Sequence, residues 1–187
     1  MSLERHLVFY GTYHSHPVNL AIHMCTVPPI VFAVFCLAAN SGPLISLPEW
    51  AAVSFLPLNL GTIAALTLGG LYVLLEPVAG ILLAVLCIWG TAQVNELREI
   101  DLDNANKLAV GTLSVGWLLQ LIGNAVFEKH IHEKVSHVLQ AMFVAPLFVW
   151  FKVLFGLGYR SELQGRVNAS VQKELAKIEK EKMAKKE

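Results

Sequence analysis

An all-helical membrane protein is the fold class this sequence predicts, and three observations predict it. Hydrophobic residues make up 55% of the 187 and charged residues 15%, against about 45–50% and about 25% in soluble domains. The apolar residues are gathered into runs of helical length, separated by short stretches rich in Pro, Gly and Asn. Residues 20–94 hold only Glu49 and Glu76 as charged side chains, whereas the tail after Tyr159 is dense in Lys, Arg and Glu. The expected architecture is all-α: a polytopic membrane helical bundle of four to five apolar helices with a charged C-terminal helix. The expected division is a membrane domain over 1–160 and a helical tail over 161–187.

Residues 2–13 predict a short amphipathic helix, with Ser2 as N-cap, Leu3, Leu7 and Tyr10 at helical spacing, and Gly11 as an interruption. His14 to Asn19 reads as a turn, because Pro17 disfavours helical backbone at His16. Asn19 then caps a first apolar run, Leu20 to Ala39, in which Pro28 and Pro29 break the hydrogen-bond ladder. Residues 40–48 are a breaker-rich loop, and 49–60 a mixed stretch suited to the membrane interface, with Trp50 as anchor. Gly61 to Leu75 and Val78 to Val94 are apolar but short for separate spans. They predict a tight hairpin punctuated at Glu76-Pro77, or segments crossing only part of the bilayer. Residues 95–107, the strongly polar stretch of the middle, read as an exposed loop.

Leu108 to Phe127 is a fourth apolar segment and His137 to Leu157, with Pro146 inside it, a fifth. Gly158 is the expected C-terminal cap. The tail predicts a solvated helix whose Lys and Arg excess favours the cytosol. The first twenty residues are polar before any apolar run, so no cleavable signal peptide is expected. Cys25, Cys36 and Cys87 lie in apolar segments and read as buried thiols. The formal net charge is zero. With no basic-aromatic surface, phosphate loop or nucleophile elbow, the chain offers nothing for nucleic acid or nucleotide.

The chemistry lies in the histidines. His14, His16 and His23 open the chain with His6, none follows until His130, and His132 and His137 complete the seven. If the chain folds back, the two clusters meet. His23 sits four residues after Asn19 on the same helical face, and ionisable residues inside apolar segments tend to be functional. Imidazole is a common ligand for iron or zinc. Two readings stand at this point: a metal site built on His14 and His23, or interfacial histidines satisfied as polar groups. His130 and His132 share a metal only in irregular backbone, with Glu128 and Glu133 as possible carboxylate partners.

Several motifs carry a resemblance. Tyr13-His14, Pro17, Asn19, His23 and Pro28 form one. Gly116-Trp117, Gln120, Gly123 and Phe127-Glu128-Lys129 form another. A third runs from Leu139-Gln140-Ala141 through Ala145-Pro146 and Phe148-Val149-Trp150 to Leu157-Gly158-Tyr159-Arg160. In order and spacing, from about Leu3 to Arg160, the chain resembles the DUF962, or Mpo1-like, membrane proteins, the fungal members in particular.

That resemblance implies a multi-pass endoplasmic-reticulum dioxygenase. It would use Fe(II) and O2 to shorten a 2-hydroxy fatty acid by one carbon, as in phytosphingosine breakdown. It assigns His14 and His23 as metal ligands. Tyr13, Asn19, Gln120 and Glu128 become candidates for orienting roles, with helix capping or interhelical hydrogen bonding as the structural reading of Asn19 and Gln120. One departure stands out. Asn124 follows Gly123 where the family usually has histidine, so the metal candidates widen to Asn124, His130, His132 and His137. The rival class is a non-catalytic membrane structural or tethering protein that keeps a degenerate metal site.

Overall fold

The computed structural model describes residues 3–50, 52–128 and 138–184. These form α1 (Leu3–Tyr13), α2 (Pro17–Ala38) ending in a 3-10 turn (Ala39–Ser41), α3 (Leu60–Leu75) and α4 (Pro77–Ile100). Then come α5 (Leu102–Gly123), continued by a π-helical segment (Asn124–Glu128), α6 (Val138–Gly156) and α7 (Ser161–Ala184). Among the described residues there is no β-strand, only an isolated antiparallel bridge between Ile45 and Leu58. Two compact units partition the chain, Met1–His23 with Ile122–Glu187, and Met24–Leu121.

Three described helices are long and apolar enough to cross a membrane: Pro17–Ser41, Pro77–Ile100 and Leu102–Glu128. Leu60–Leu75 and Phe143–Gly156 are shorter apolar helices. On α5, Leu108, Val115, Leu118 and Leu121 are exposed. A helix apolar on its outward side fits a lipid surrounding, in line with the membrane class expected.

In the first unit α1 packs on α6 and α7. Leu7 and Tyr10 are buried with Phe148 and Phe151 of α6 and with Leu163, Val167 and Val171 of α7. The α7 residues recur every four positions, so one stripe is buried while the other faces are largely polar and charged. Gly11, expected to interrupt α1, lies within it. A side chain there would press on Val171 Cγ2 and Phe148, so its role is close packing. Gly158, at φ 83°, ends α6 as expected. Tyr159 N–H donates to Leu154 O (2.9 Å) and Gly158 N–H to Phe155 O (3.0 Å), the paired bonds of a Schellman cap.

In the second unit α3 and α4 form the expected hairpin, but α4 is longer than the sequence suggested and reaches spanning length. Glu76 serves both helices. It closes α3 with its N–H on Tyr72 O, and its carboxylate accepts from Ala79 N–H at 2.6 Å to cap α4, with Pro77 in the first turn. Gly80 sits against the Tyr72 backbone so closely that a methyl group would not fit.

The stretch 95–107, expected to be a loop, is helical except at Asp101. Asp101 ends α4 and starts α5, its carboxylate accepting from Asn104 N–H (3.0 Å). Polarity marks where a helix leaves the apolar phase and does not oblige it to stop.

Asn19 does not cap α2. The helix begins at Pro17, where the missing N–H costs nothing, and His16 is the cap. Its carbonyl accepts from Leu20 N–H (2.9 Å) and its Nδ1 from Val18 N–H (3.3 Å). The turn is therefore confined to His14–His16.

Candidate functional site

The three histidines of the opening motif differ in what their ring nitrogens do. His14 Nδ1 lies 3.1 Å from Tyr10 O and His23 Nδ1 lies 2.9 Å from Asn19 O. A carbonyl can only accept, so both δ nitrogens carry a proton, and in the neutral ring the lone pair is then on Nε2. Metal-ligating histidines are commonly oriented in this way, the second N–H fastened to a backbone carbonyl. His16 has the opposite arrangement. Its Nδ1 accepts from Val18 N–H, so its proton is on Nε2. It stacks on Phe127, ring centres 4.7 Å apart.

His14 and His23 face each other. Their ring centres are 4.3 Å apart at 73°, and both are buried. The bend after α1 brings His14 beside the second turn of α2. Tyr10, one turn before His14, stacks flat on it (4.0 Å, 7°), meets His23 edge-on at 6.3 Å, and is backed by Phe148 at 4.6 Å. Burial pushes the Tyr10 phenol far above its usual pKa, so it stays protonated. Tyr10 escaped the sequence reading as a site residue. Its signal was there, four residues before His14 on the helical face already marked by Leu3 and Leu7.

Glu128, at the end of the π-helical segment, ties this arrangement together. Its Oε1 accepts from His16 N–H (2.9 Å) and from Asn19 Nδ2 (3.0 Å), and its Oε2 accepts from the Ser15 hydroxyl (3.1 Å). The carboxylate is buried. It therefore fastens the turn between the two histidines to Asn19, the residue whose carbonyl orients His23. The backbone that carries it is π-helical over Asn124–Glu128, an irregularity frequent at functional sites.

Asn19 is fully buried. Its Nδ2 donates to Glu128 and also to Asn124 Oδ1 (3.1 Å). Its Oδ1 is buried without a partner among the described residues. Gly123 makes room for it, since a methyl group at 123 would lie 2.6 Å from that oxygen.

The structure thus brings His14, His23, Asn19, Asn124 and Glu128 into one network. The oxygen of Asn124, the one atom it has to offer a metal, is engaged by Asn19. Gln120 is occupied elsewhere, its Nε2 donating to Thr26 Oγ1 across α2 and α5 at 2.9 Å. Tyr13 pairs edge-on with Phe9 (5.2 Å) and lines an open groove of about 700 Å³ beside α7, with Arg5 and Lys177. His130, His132 and His137 lie outside the described residues, as does Glu133. Among the described residues no group of three His, Cys, Asp or Glu side chains is arranged to hold a metal. Two facing imidazoles, each with Nδ1 on a backbone carbonyl, fit a metal centre in part, and its remaining ligands would have to come from elsewhere.

Comparison with known proteins bears on this geometry. The family model described as "2-hydroxy-palmitic acid dioxygenase Mpo1-like" matches residues 1–157. The 2-hydroxy-palmitic acid dioxygenase MPO1 of Saccharomyces cerevisiae is 28% identical over 166 residues, covering 88% of this chain and 86% of that protein. No solved structure matches the chain.

Proposed function

The chain belongs to the Mpo1-like family, and from that premise we propose that it is an iron-dependent dioxygenase of the endoplasmic-reticulum membrane. In this reading it is a multi-pass protein with α7 in the cytosol, and it shortens 2-hydroxy fatty acids by one carbon. The observation that supports the reading is the buried pair His14 and His23, rings facing each other and each Nδ1 on a backbone carbonyl. R-CH(OH)-COOH plus O2 becomes R-COOH plus CO2 and water. The substrate loses four electrons and one O2 takes them up, so no co-substrate is required. Fe(II), when bound, would supply the redox centre at which O2 and the 2-hydroxy acid meet.

The chain's own residues have defined tasks in this proposal. His14 and His23 would hold the metal, for which imidazole is a common ligand. Tyr10 and Phe148 buttress the His14 ring. Glu128 is a positioning residue, because its oxygens are committed to Ser15, His16 and Asn19. The outward apolar surfaces of the helices keep the acyl chain in a lipid phase.

The test is turnover of 2-hydroxypalmitic acid by purified protein with Fe(II), followed as O2 uptake and as appearance of the acid one carbon shorter. Product that depends on O2, iron and His14 supports the proposal. A second reading, a non-catalytic structural or tethering protein, is favoured by Asn124, whose carboxamide oxygen bonds to Asn19. It predicts no bound iron and no product from a folded protein.

A further inference from the structure

We infer that the loop between α2 and α3 is a lipid-interface anchor, seated in the headgroup and glycerol layer of a bilayer. Leu44, Ile45, Leu47, Trp50, Val53 and Phe55 are the side chains that meet the lipid. All six are exposed, Trp50 to 88%, and Glu49 is the single charge between Ser41 and Leu60. The inference rests on reading α2 to α5 as membrane helices, which the proposed function shares.

The loop is built to hold these side chains outward. Its base is closed by Leu44 N–H on Leu58 O (2.9 Å) and by Leu60 N–H on Ser41 Oγ (2.9 Å). A buried polar knot secures the far strand of the loop. Asn95 Nδ2 donates to Phe55 O (3.2 Å) and Thr62 Oγ1 (3.3 Å), Asn59 Nδ2 donates to Asn95 Oδ1 (3.1 Å), and Asn59 Oδ1 accepts from Thr62 N–H (2.8 Å). Asn59, Thr62 and Asn95 are all buried. A loop fastened by its backbone, with its large apolar side chains left outside, has those side chains available for another phase.

Two constraints then fix that phase. Irregular backbone exposed to lipid is not tolerated in hydrocarbon, because its polar groups find no partners there. Six large apolar side chains clustered in bulk water would form the kind of patch that marks an interaction surface. The layer between satisfies both, and it is where Trp is enriched.

The second unit supplies an independent depth mark. Asn40, where the loop begins, exchanges hydrogen bonds with Asn106 (3.0 and 3.2 Å) and accepts from Arg98 (3.0 Å). The loop therefore starts level with the charged α4–α5 junction, where Glu96, Arg98, Glu99, Asp101 and Asp103 cluster. Those charges must stand at or above the headgroups. A loop whose root is at that level and whose tip is apolar dips toward the acyl boundary.

The experiment uses the full chain reconstituted in phosphatidylcholine vesicles, with Trp89, Trp117 and Trp150 replaced by Phe so that Trp50 reports alone. The expected result is blue-shifted Trp50 emission, quenched more by a nitroxide lipid labelled near the glycerol than by one labelled near the chain end, and little by aqueous iodide. Iodide quenching with no lipid quenching overturns the inference and makes the loop a water-exposed surface for a protein partner. Stronger quenching by the deep label overturns it as well.

Should the triple replacement fail to insert, the emission lost on Trp50→Phe in the otherwise unaltered chain gives the same reading. Alkaline extraction separates the two premises. Protein released from vesicles rejects the membrane helices and this inference together, whereas retained protein with a water-exposed Trp50 rejects the loop anchor alone.

Discussion

Replacement of Glu128 separates a positioning role from a proton-carrying one. The carboxylate is buried and accepts three hydrogen bonds, from His16 N–H, Ser15 Oγ–H and Asn19 Nδ2–H. Hydrogen bonds to a charged group contribute about 1.5–3 kcal/mol each, and Ser15 at the exposed edge counts for least, so Glu128→Ala should cost about 3–5 kcal/mol. Glu128→Gln can keep all three contacts. Its Oε1 accepts from His16 and Asn19 as before, and the Ser15 hydroxyl turns to accept from the new amide. Only the charge assistance is lost, so the cost falls to about 1–2 kcal/mol.

Because the three contacts hold the turn between His14 and His23, Fe(II) affinity should fall about 10–100-fold in the Ala variant and much less in the Gln variant. Retention of folded protein after graded heating in detergent reads the stability. Iron titration of the same samples reads the site. If Glu128→Gln binds iron normally yet is inactive, the carboxylate moves a proton and the positioning argument is refuted. If Glu128→Ala matches the parent in both assays, the network has no energetic role.

Three further outcomes are expected. His14→Ala and His23→Ala should each abolish iron binding and turnover in folded protein, while His16→Ala should do much less because its Nδ1 serves the α2 cap; equal losses in all three, by metal analysis, contradict the tautomer assignment. Asn124→His should raise Fe(II) affinity about tenfold or more by adding a nitrogen donor beside the pair, and an unchanged titration removes position 124 from the site. Gly80→Ala should destabilise the α3–α4 hairpin by about 1–3 kcal/mol, because the methyl group meets the Tyr72 backbone. Gly70→Ala, with no neighbour in the way, should stabilise α3 by about 0.5–1 kcal/mol; thermal stability that ranks them the other way argues against the hairpin packing.

Much of this architecture was legible without coordinates, and the reasons are local. Apolar runs of helical length predict α2, α3, α4, α5 and α6, because a run of that length has few ways to satisfy its backbone outside a helix. Gly158 and Glu76-Pro77 announced their boundaries through the backbone conformations that those residues favour. His14 and His23 stood out as polar groups beside or within apolar sequence.

Other features depended on contacts that no local pattern encodes. The polar stretch 95–107 stays helical because exposed polar residues suit a helix as well as a loop. Gly11 remains inside α1 because α6 and α7 need its small size. Asn19 leaves the capping role to His16 because Glu128 and Asn124, more than a hundred residues away in sequence, claim its amide. The sequence by itself determined the class of molecule and singled out His14 and His23 as candidates, since hydrophobic periodicity and residue type are properties of the chain. Only the tertiary structure decided which carbonyl each of His14 and His23 faces and which carboxylate fastens the turn between them, because a hydrogen-bond partner is chosen by position in space.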